Sequence, residues 1–193
     1  MELYKKHRPI TLNNYIGQDP ARELVLNLLD GGNFPAAVLI SGPSGCGKTT
    51  LGRIIANSLG CSQIDFTETN AANTRGIDEI RKIRERAQLA PMGGDAKVWL
   101  IDEAHGITKD GQDALLKVLE DSPRNVHFVL CTTEPEKLRT TIKNRCTHIK
   151  LKPLSVVDIE KLLVQVSKSE GIEIPESVVE KIADAADGSP RKA

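Results

Sequence analysis

The run Ala36-Ala37-Val38-Leu39-Ile40-Ser41, followed at once by Gly42-Pro43-Ser44-Gly45-Cys46-Gly47-Lys48-Thr49, decides how the rest of the chain is read. The first six residues are a short, apolar, strand-like run. The next eight match the spacing GxxxxGK[ST], and a stretch with helical spacing, Leu51–Leu59, comes after them. Between a strand and a helix this spacing makes a phosphate cradle: glycines let the backbone wrap closely, so N–H groups and a helix N-terminus face the anion. Lys48 then supplies a point charge to the β and γ phosphates of ATP, and Thr49 a hydroxyl ligand to Mg²⁺. The competing reading is an ordinary glycine-rich turn, and the flanking strand and helix count against it. The run expected to hold nucleotide is Gly42, Pro43, Ser44, Gly45, Cys46, Gly47, Lys48, Thr49 and Thr50.

Working outward, further β-rich runs appear at Ile64–Thr67, Val98–Ile101 and Val126–Cys131, with a weaker one at Thr147–Leu151. Helical spacing recurs from Ile77 through Ile80, Ile83 and Ala87, stopping before Pro91, and again over Gln112–Leu119. Near-continuous apolar strands alternating with helices predict an α/β fold with a parallel sheet buried on both faces. The run Lys97–Ile101 ends in Asp102-Glu103. Asp102, at the C-terminal end of its strand, is expected to face the phosphate loop and hold Mg²⁺ through its water shell. Glu103 is expected to polarise the attacking water, which favours hydrolysis over transfer to a small substrate. Acids often end strands, and it is the preceding phosphate loop that gives these two a chemical reading.

After Lys152-Pro153 the strands stop. Ser155 with Asp158 three residues on is a helix-start signal, and Ile159, Leu162, Leu163 and Val166 make one apolar stripe before Gly171. Pro175 opens a helix carrying Val178, Val179, Ile182 and Ala186 up to Gly188, and Ser189-Pro190 looks like the start of a third. The expected division is 1–152, a nucleotide-binding domain, and 153–193, a partial helical domain. Two helices and a first turn cannot close a bundle, so the chain reads as a piece of a longer protein.

Composition narrows the function classes. The chain has 193 residues with 26 Lys+Arg against 26 Asp+Glu, so bulk electrostatic binding of nucleic acid is disfavoured and only a local basic track remains. Aromatics make up 3%, too few for a base-stacking surface. No apolar run approaches the ~20 residues of a membrane helix, and the basic opening has no apolar run after it, so no secretory signal is expected. The four cysteines Cys46, Cys61, Cys131 and Cys146 form no CxxC pair and have no His at ligand spacing. Free thiols in a reducing cytoplasm, without zinc, are the expectation.

The order of these motifs resembles the clamp-loader group of AAA+ ATPases: bacterial DNA polymerase III gamma/tau subunits and the small subunits of replication factor C. The resemblance spans essentially the whole chain. It implies a P-loop AAA+ parallel sheet sandwiched by helices, followed by a partial small all-α lid domain. Tyr4-Lys5-Lys6-His7-Arg8-Pro9 and Tyr15-Ile16-Gly17-Gln18 are similar to the segments that line the family's adenine pocket, placing Arg8, Pro9, Ile16 and Gly17 near the base or ribose. Asp102-Glu103-Ala104-His105 resembles the family's acidic box, in which His105 is either a sensor or a surface histidine. Gln112, at the exposed start of the next helix, resembles a residue that senses bound DNA. Thr132-Thr133 ends the fourth strand where the family places a polar sensor, with Thr133 the first candidate and Thr132 the second. Asn144-Arg145-Cys146 is similar to the motif whose arginine reaches the neighbouring subunit's ATP. Gly188-Ser189-Pro190-Arg191 is similar to the second sensor, in which Arg191 would swing onto the γ-phosphate.

Gamma subunits carry a cysteine-rich zinc module after the phosphate-loop helix; here Ser58-Leu59-Gly60-Cys61-Ser62-Gln63 passes straight through, as in replication factor C. Asn70–Asp78 also resembles that branch, whereas Ala114–Lys117 and Thr132-Thr133 are more bacterial, a mixture that a phage-encoded subunit would fit. The resemblance implies a cytoplasmic ATPase, weak and monomeric as an isolated chain. Its partners would be other loader subunits in a ring, a sliding clamp and primer-template DNA, with no membrane. Thr74 and Arg75 before one helix, and Thr108 and Lys109 before another, are the candidate DNA contacts. The alternatives are a non-catalytic structural subunit of such a ring and another AAA+ DNA motor, such as a branch-migration helicase.

Overall fold

The computed structural model describes residues 2–72 and 76–193. Among the described residues the strand-like runs become β1 (Ala37–Ser41), β2 (Phe66–Asn70), β3 (Lys97–Asp102), β4 (Val126–Thr132) and β5 (Thr147–Lys150) of one sheet. Every neighbouring pair is parallel, in the order β2-β3-β4-β1-β5. Helices α1 (Leu3–Lys6) and α2 (Asp19–Asp30) precede β1. The crossovers are α3 (Lys48–Ser58), α4 (Ile77–Ala87), α5 (Lys109–Glu120) and the short α6 (Thr140–Lys143); α7 (Val156–Glu170) and α8 (Glu176–Ala185) follow β5.

Alternate side chains of a strand point to opposite faces, and here both faces are covered. Leu39, Trp99, Ile101, Phe128 and Leu130 meet Ile80 and Ile83 of α4 and Leu115, Val118 and Leu119 of α5. Val38, Ile40, Leu100 and Val129 meet Val25 of α2 and Leu51, Ile54 and Ile55 of α3. Burial on both sides is why β1 and β4 read as unbroken apolar runs. Phe128 is fully buried at the centre of the first face; truncating such a residue to Ala costs about 3–5 kcal/mol.

Three details depart from the sequence reading. Strand β2 starts at Phe66, and Ile64 is 75% exposed. The residues before it form a turn in which Phe66 N–H donates to the Ser62 carbonyl at 3.0 Å. The edge position of β2 explains its weaker apolar signal. Helix α2 is an additional element: Asp19 and Pro20 open it, and buried Ala21 and Val25 lie four residues apart. Helix α5 starts earlier than its apolar core suggests, because Thr108 caps it by accepting Gly111 N–H at 3.2 Å.

Helices α7 and α8 pack on each other around a small core of Leu154, Ile159, Ala183 and Ala186. Ser155 accepts Asp158 N–H at 3.1 Å to start α7, and Gly171 in the left-handed region ends it. Past α8, the Ser189 carbonyl accepts N–H bonds from Lys192 at 2.9 Å and Ala193 at 3.3 Å, a single turn. No helix among the described residues is long and apolar enough to cross a membrane.

One carboxylate ties two loops below the sheet. Asp65 accepts Met92 N–H at 2.8 Å, Gly93 N–H at 2.9 Å and the Ser62 hydroxyl at 2.7 Å, and these bonds hold its pKa down at about 2 against 3.8. A carboxyl whose folded pKa is depressed favours the fold above its unfolded pKa, and this contribution is lost as pH falls through the folded value. Urea midpoints of the native protein and Asp65→Asn are therefore expected to differ most near neutrality and to converge between pH 4 and pH 2. A difference that does not shrink with acid would contradict this account.

Candidate functional site

Sheet order assembles the site. Strand β4 lies between β1 and β3, with Ser41 opposite Thr132 and Ile101 opposite Leu130. The C-terminal ends of three adjacent strands therefore carry the loop 42–47, Thr132-Thr133 and Asp102-Glu103 to one edge, where open α/β sheets bind ligands.

The loop's shape depends on two glycines. Gly45 (φ +79°) and Gly47 (φ +101°) adopt left-handed conformations that side chains disfavour. A Cβ at Gly45 would lie 2.2 Å from Ser189 Oγ, and one at Gly47 would lie 2.7 Å from Tyr15 Oη. The loop is thus walled on one side by the turn after α8 and on the other by Tyr15. Lys48 is 6% exposed, and its Nζ donates to the carbonyls of Gly42 at 2.9 Å and Pro43 at 2.8 Å. Its charge lies inside the loop, where phosphate oxygens would replace neutral carbonyl acceptors with anionic ones.

Thr49 Oγ1 donates to Asp102 Oδ2 at 2.8 Å, and Glu103 N–H donates to Asp102 Oδ1 at 2.9 Å. A hydroxyl and a carboxylate from two different elements thus present hard oxygen donors side by side, the donor chemistry that suits Mg²⁺ together with phosphates and water. Glu103 has φ +50°, rare for a residue other than glycine, and this turns the chain off the strand. Thr133 Oγ1 lies 3.5 Å from Glu103 Oε2. Thr132 is fully buried and faces elsewhere: its Oγ1 accepts Glu134 N–H at 3.0 Å and lies 3.0 Å from His105 Nδ1.

Lys48, Thr49, Asp102 and Glu103 border an open cleft of about 650 Å³, and Thr133 is not among its lining residues; the volume is within the usual range for a small-molecule site. Ser44, Thr50, Lys48, Thr49, Asp102 and Glu103 line its floor; Tyr4, Arg8 and Pro9 line one wall; Leu162, Val166, Ile182 and Arg191 line the other. Burial, then the nearby Arg53 charge, lowers the pKa of the Arg8 guanidinium, and Arg191 adds to this. Arg8 and Arg191 join Lys48 in making the cleft favourable to an anion. The Arg191 guanidinium also lies 5.7 Å from the Tyr4 ring centre. Lys6 and His7 pair with Glu170 at the end of α7, Lys6 at 2.7 Å, joining the N-terminal helix to the opposite wall. Burial raises the pKa values of the Tyr15 phenol and the Cys46 and Cys131 thiols, keeping them neutral under the loop.

Other expected residues fall outside the cleft. Ile16 and Gly17 do not line it, and a Cβ on Gly17 would lie 2.6 Å from Leu154 Cδ2. Their neighbour Tyr15, which the sequence reading did not single out, is the residue against the loop. Its phenol donates to the Gly47 carbonyl at 3.3 Å. Arg145 lies away from the cleft, its guanidinium paired with Glu120 and donating to the Thr141 carbonyl at 3.2 Å. Gln112 was expected at an exposed helix start but is 4% exposed: it donates to the Ile107 carbonyl at 3.1 Å and accepts Arg139 N–H at 2.9 Å. The first turn of α5 packs against the segment after β4, which is what buries it. Thr74 and Arg75 lie outside the described residues, and Lys109 is exposed at the start of α5. Among the described residues no group of three or more His, Cys, Asp or Glu could hold a metal ion.

Comparison with known proteins agrees with this arrangement. Residues 64–155 match the family described as DNA polymerase III, delta subunit. Over 99% of its length the chain is 36% identical to DNA polymerase III subunit gamma/tau of Mycobacterium tuberculosis and 36% identical to subunit gamma of Buchnera aphidicola. It is 34% identical to subunit tau of Bacillus subtilis. The chain spans 37%, 58% and 38% of those three relatives. The alignment to the mycobacterial protein runs over 214 positions, more than the 193 residues here, so that relative carries residues without a counterpart in this chain. In three dimensions the chain resembles the Holliday junction branch migration motor RuvB of Thermotoga maritima. The TM-score is 0.82 at 26% identity, covering 96% of this chain and 62% of that one. The parallel sheet, the phosphate loop and the relatives in sequence lead to one conclusion: the chain has the fold of AAA+ P-loop proteins and is similar over nearly its whole length to the gamma and tau subunits of DNA polymerase III.

Proposed function

We propose that the chain binds ATP with Mg²⁺ in this cleft and hydrolyses it, as a subunit of a sliding-clamp loader in DNA replication. The observation that carries the reading is the 2.8 Å bond between Thr49 and Asp102, with Glu103 one residue further along. It sets a metal-binding pair beside a second carboxylate that has no part in holding the metal. Lys48 exchanges its carbonyl partners for β and γ phosphate oxygens, while the loop from Gly42 to Gly47 and the start of α3, including Thr50, surround the anion. Thr49 and Asp102 hold Mg²⁺, which supplies charge neutralisation on the phosphates when bound. Glu103 orients the attacking water, and Thr133, 3.5 Å from its carboxylate, bridges toward the γ-phosphate. Arg8 and Pro9 meet the base or ribose, and Arg191 senses the phosphate from the far wall.

Residues 1–152 act as the ATPase domain and 153–193 as part of its lid. Arg145, remote from its own cleft, serves the neighbour's ATP in a ring, so that hydrolysis depends on assembly. The ring would hold a clamp on primer-template DNA in the cytoplasm, with Lys109 as a backbone contact. As an isolated chain the protein would be a weak ATPase. Presence of Lys48, Thr49, Asp102 and Glu103 together argues against a purely structural subunit. Sequence identity of 36% to gamma/tau subunits, against 26% to the branch migration motor, favours the loader over that motor.

Lys48→Ala is expected to abolish ATP binding in a titration with a fluorescent nucleotide, and unchanged affinity would overturn the site assignment. Glu103→Gln is expected to bind ATP normally and to lose turnover by about 10²-fold or more, read by phosphate release. In an assembled ring, Arg145→Ala is expected to leave its own subunit's ATP affinity intact. It should slow hydrolysis at the adjoining site by roughly 10³-fold, measured with Lys48→Ala blocking all other sites.

A further inference from the structure

His105 follows the acids at the edge of the sheet where they meet the loop, and it is held on both sides. Its Nδ1 lies 3.0 Å from Thr132 Oγ1 and 3.4 Å from Glu103 Oε2; its Nε2 lies 3.4 Å from Glu134 Oε1. Glu134 is itself anchored: its other carboxylate oxygen pairs with Lys137 Nζ at 2.6 Å, and its N–H donates to Thr132. Thr132 belongs to β4 and cannot move without the sheet, so the ring is braced by a strand on one nitrogen and by an anchored acid on the other.

The Glu103 carboxylate is then confined between two neighbours, His105 at 3.4 Å and Thr133 at 3.5 Å, both approaching the same oxygen. Both distances exceed those of strong hydrogen bonds. They restrict where the carboxylate can point without occupying its lone pairs. A water-orienting carboxylate needs that combination: a narrow range of directions with its acceptor capacity left free. A residue at φ +50° makes the constraint more necessary, because the local backbone does not place Glu103 by strand geometry.

We propose that His105 is a positioning residue for Glu103, aligning its carboxylate through Nδ1 while Glu134 and Thr132 hold the ring. This rests on the ATPase reading above and adds a part that the phosphate loop and acids do not supply. His105 is not among the residues that line the cleft, and its effect passes through Glu103 alone.

The two ring nitrogens can be tested separately. Asn places an amide near the position of Nδ1, and Gln places one near Nε2. His105→Ala is expected to lower turnover roughly tenfold, in the range seen for supporting residues, with ATP affinity unchanged within about twofold. His105→Asn should recover most of the rate and His105→Gln should not. In a Glu103→Gln background, His105→Ala should have no further effect, since the group it positions is gone. Circular dichroism and melting curves of all variants identify any that fail to fold, and His105→Asn keeps the comparison open if His105→Ala does. Wild-type turnover in His105→Ala, equal rescue by Gln and Asn, or an additive loss on top of Glu103→Gln would overturn the proposal while leaving the ATPase reading standing. A Glu103→Gln protein that hydrolyses ATP at the native rate would overturn both.

Discussion

The hydrogen-bonded ladder that seats β4 between β1 and β3 is the constraint on which the rest of the site depends. Those three strands come from distant parts of the chain, and their parallel register brings the loop after Ser41, the pair Thr132-Thr133 and the pair Asp102-Glu103 to one edge. The ladder is stable because both faces are buried, against α4 and α5 on one side and α2 and α3 on the other. Polar groups at its edge can therefore be held in fixed places by a rigid apolar layer beneath them. The bond from Thr49 to Asp102 crosses from the start of α3 to the end of β3 and measures how tightly the arrangement closes.

Around that edge the chain gathers positive charge while its thiols and the phenol below stay neutral. Lys48 sits inside the loop, Arg8 comes from the N-terminal segment and Arg191 from the turn after α8. The cleft between them closes from three directions, and the contact of Lys6 and His7 with Glu170 ties two of these walls together. Exposed ion pairs are individually weak, but this one joins residues 163 or more positions apart in sequence. It links the angle of α7 to the position of the N-terminal helix.

Much of this was legible in the residues themselves. Four of the five strands lie within a residue or so of their apolar runs; for β1, β3 and β4 this is because strands buried on two faces must be apolar throughout. The exception, β2, is an edge strand with half-buried side chains, and an apolar Ile64 outside it drew the reading two residues too early. Helix α2 has a weak start signal in sequence, because the residue before it, Gln18, is a poor cap. Gln112 departs from its expected exposure for a different reason. Its position at the start of a helix suggested exposure, but that start packs under the segment after β4, a long-range contact that helix periodicity does not encode.

Local chemistry within a few residues was therefore determined by the sequence alone: the phosphate loop, the acids closing an apolar strand, the capped start of α7 and the absence of paired cysteines. Each follows from short-range rules of backbone geometry, charge or periodicity. Tertiary structure alone decided which distant residues became neighbours. It set Tyr15 rather than Ile16 or Gly17 against the loop, Thr133 rather than Thr132 beside Glu103, Ser189 over Gly45, and His105 between two acids. It also left Arg145 outside its own cleft. The order in which strands pair is a property of the whole core, and no segment carries that order by itself.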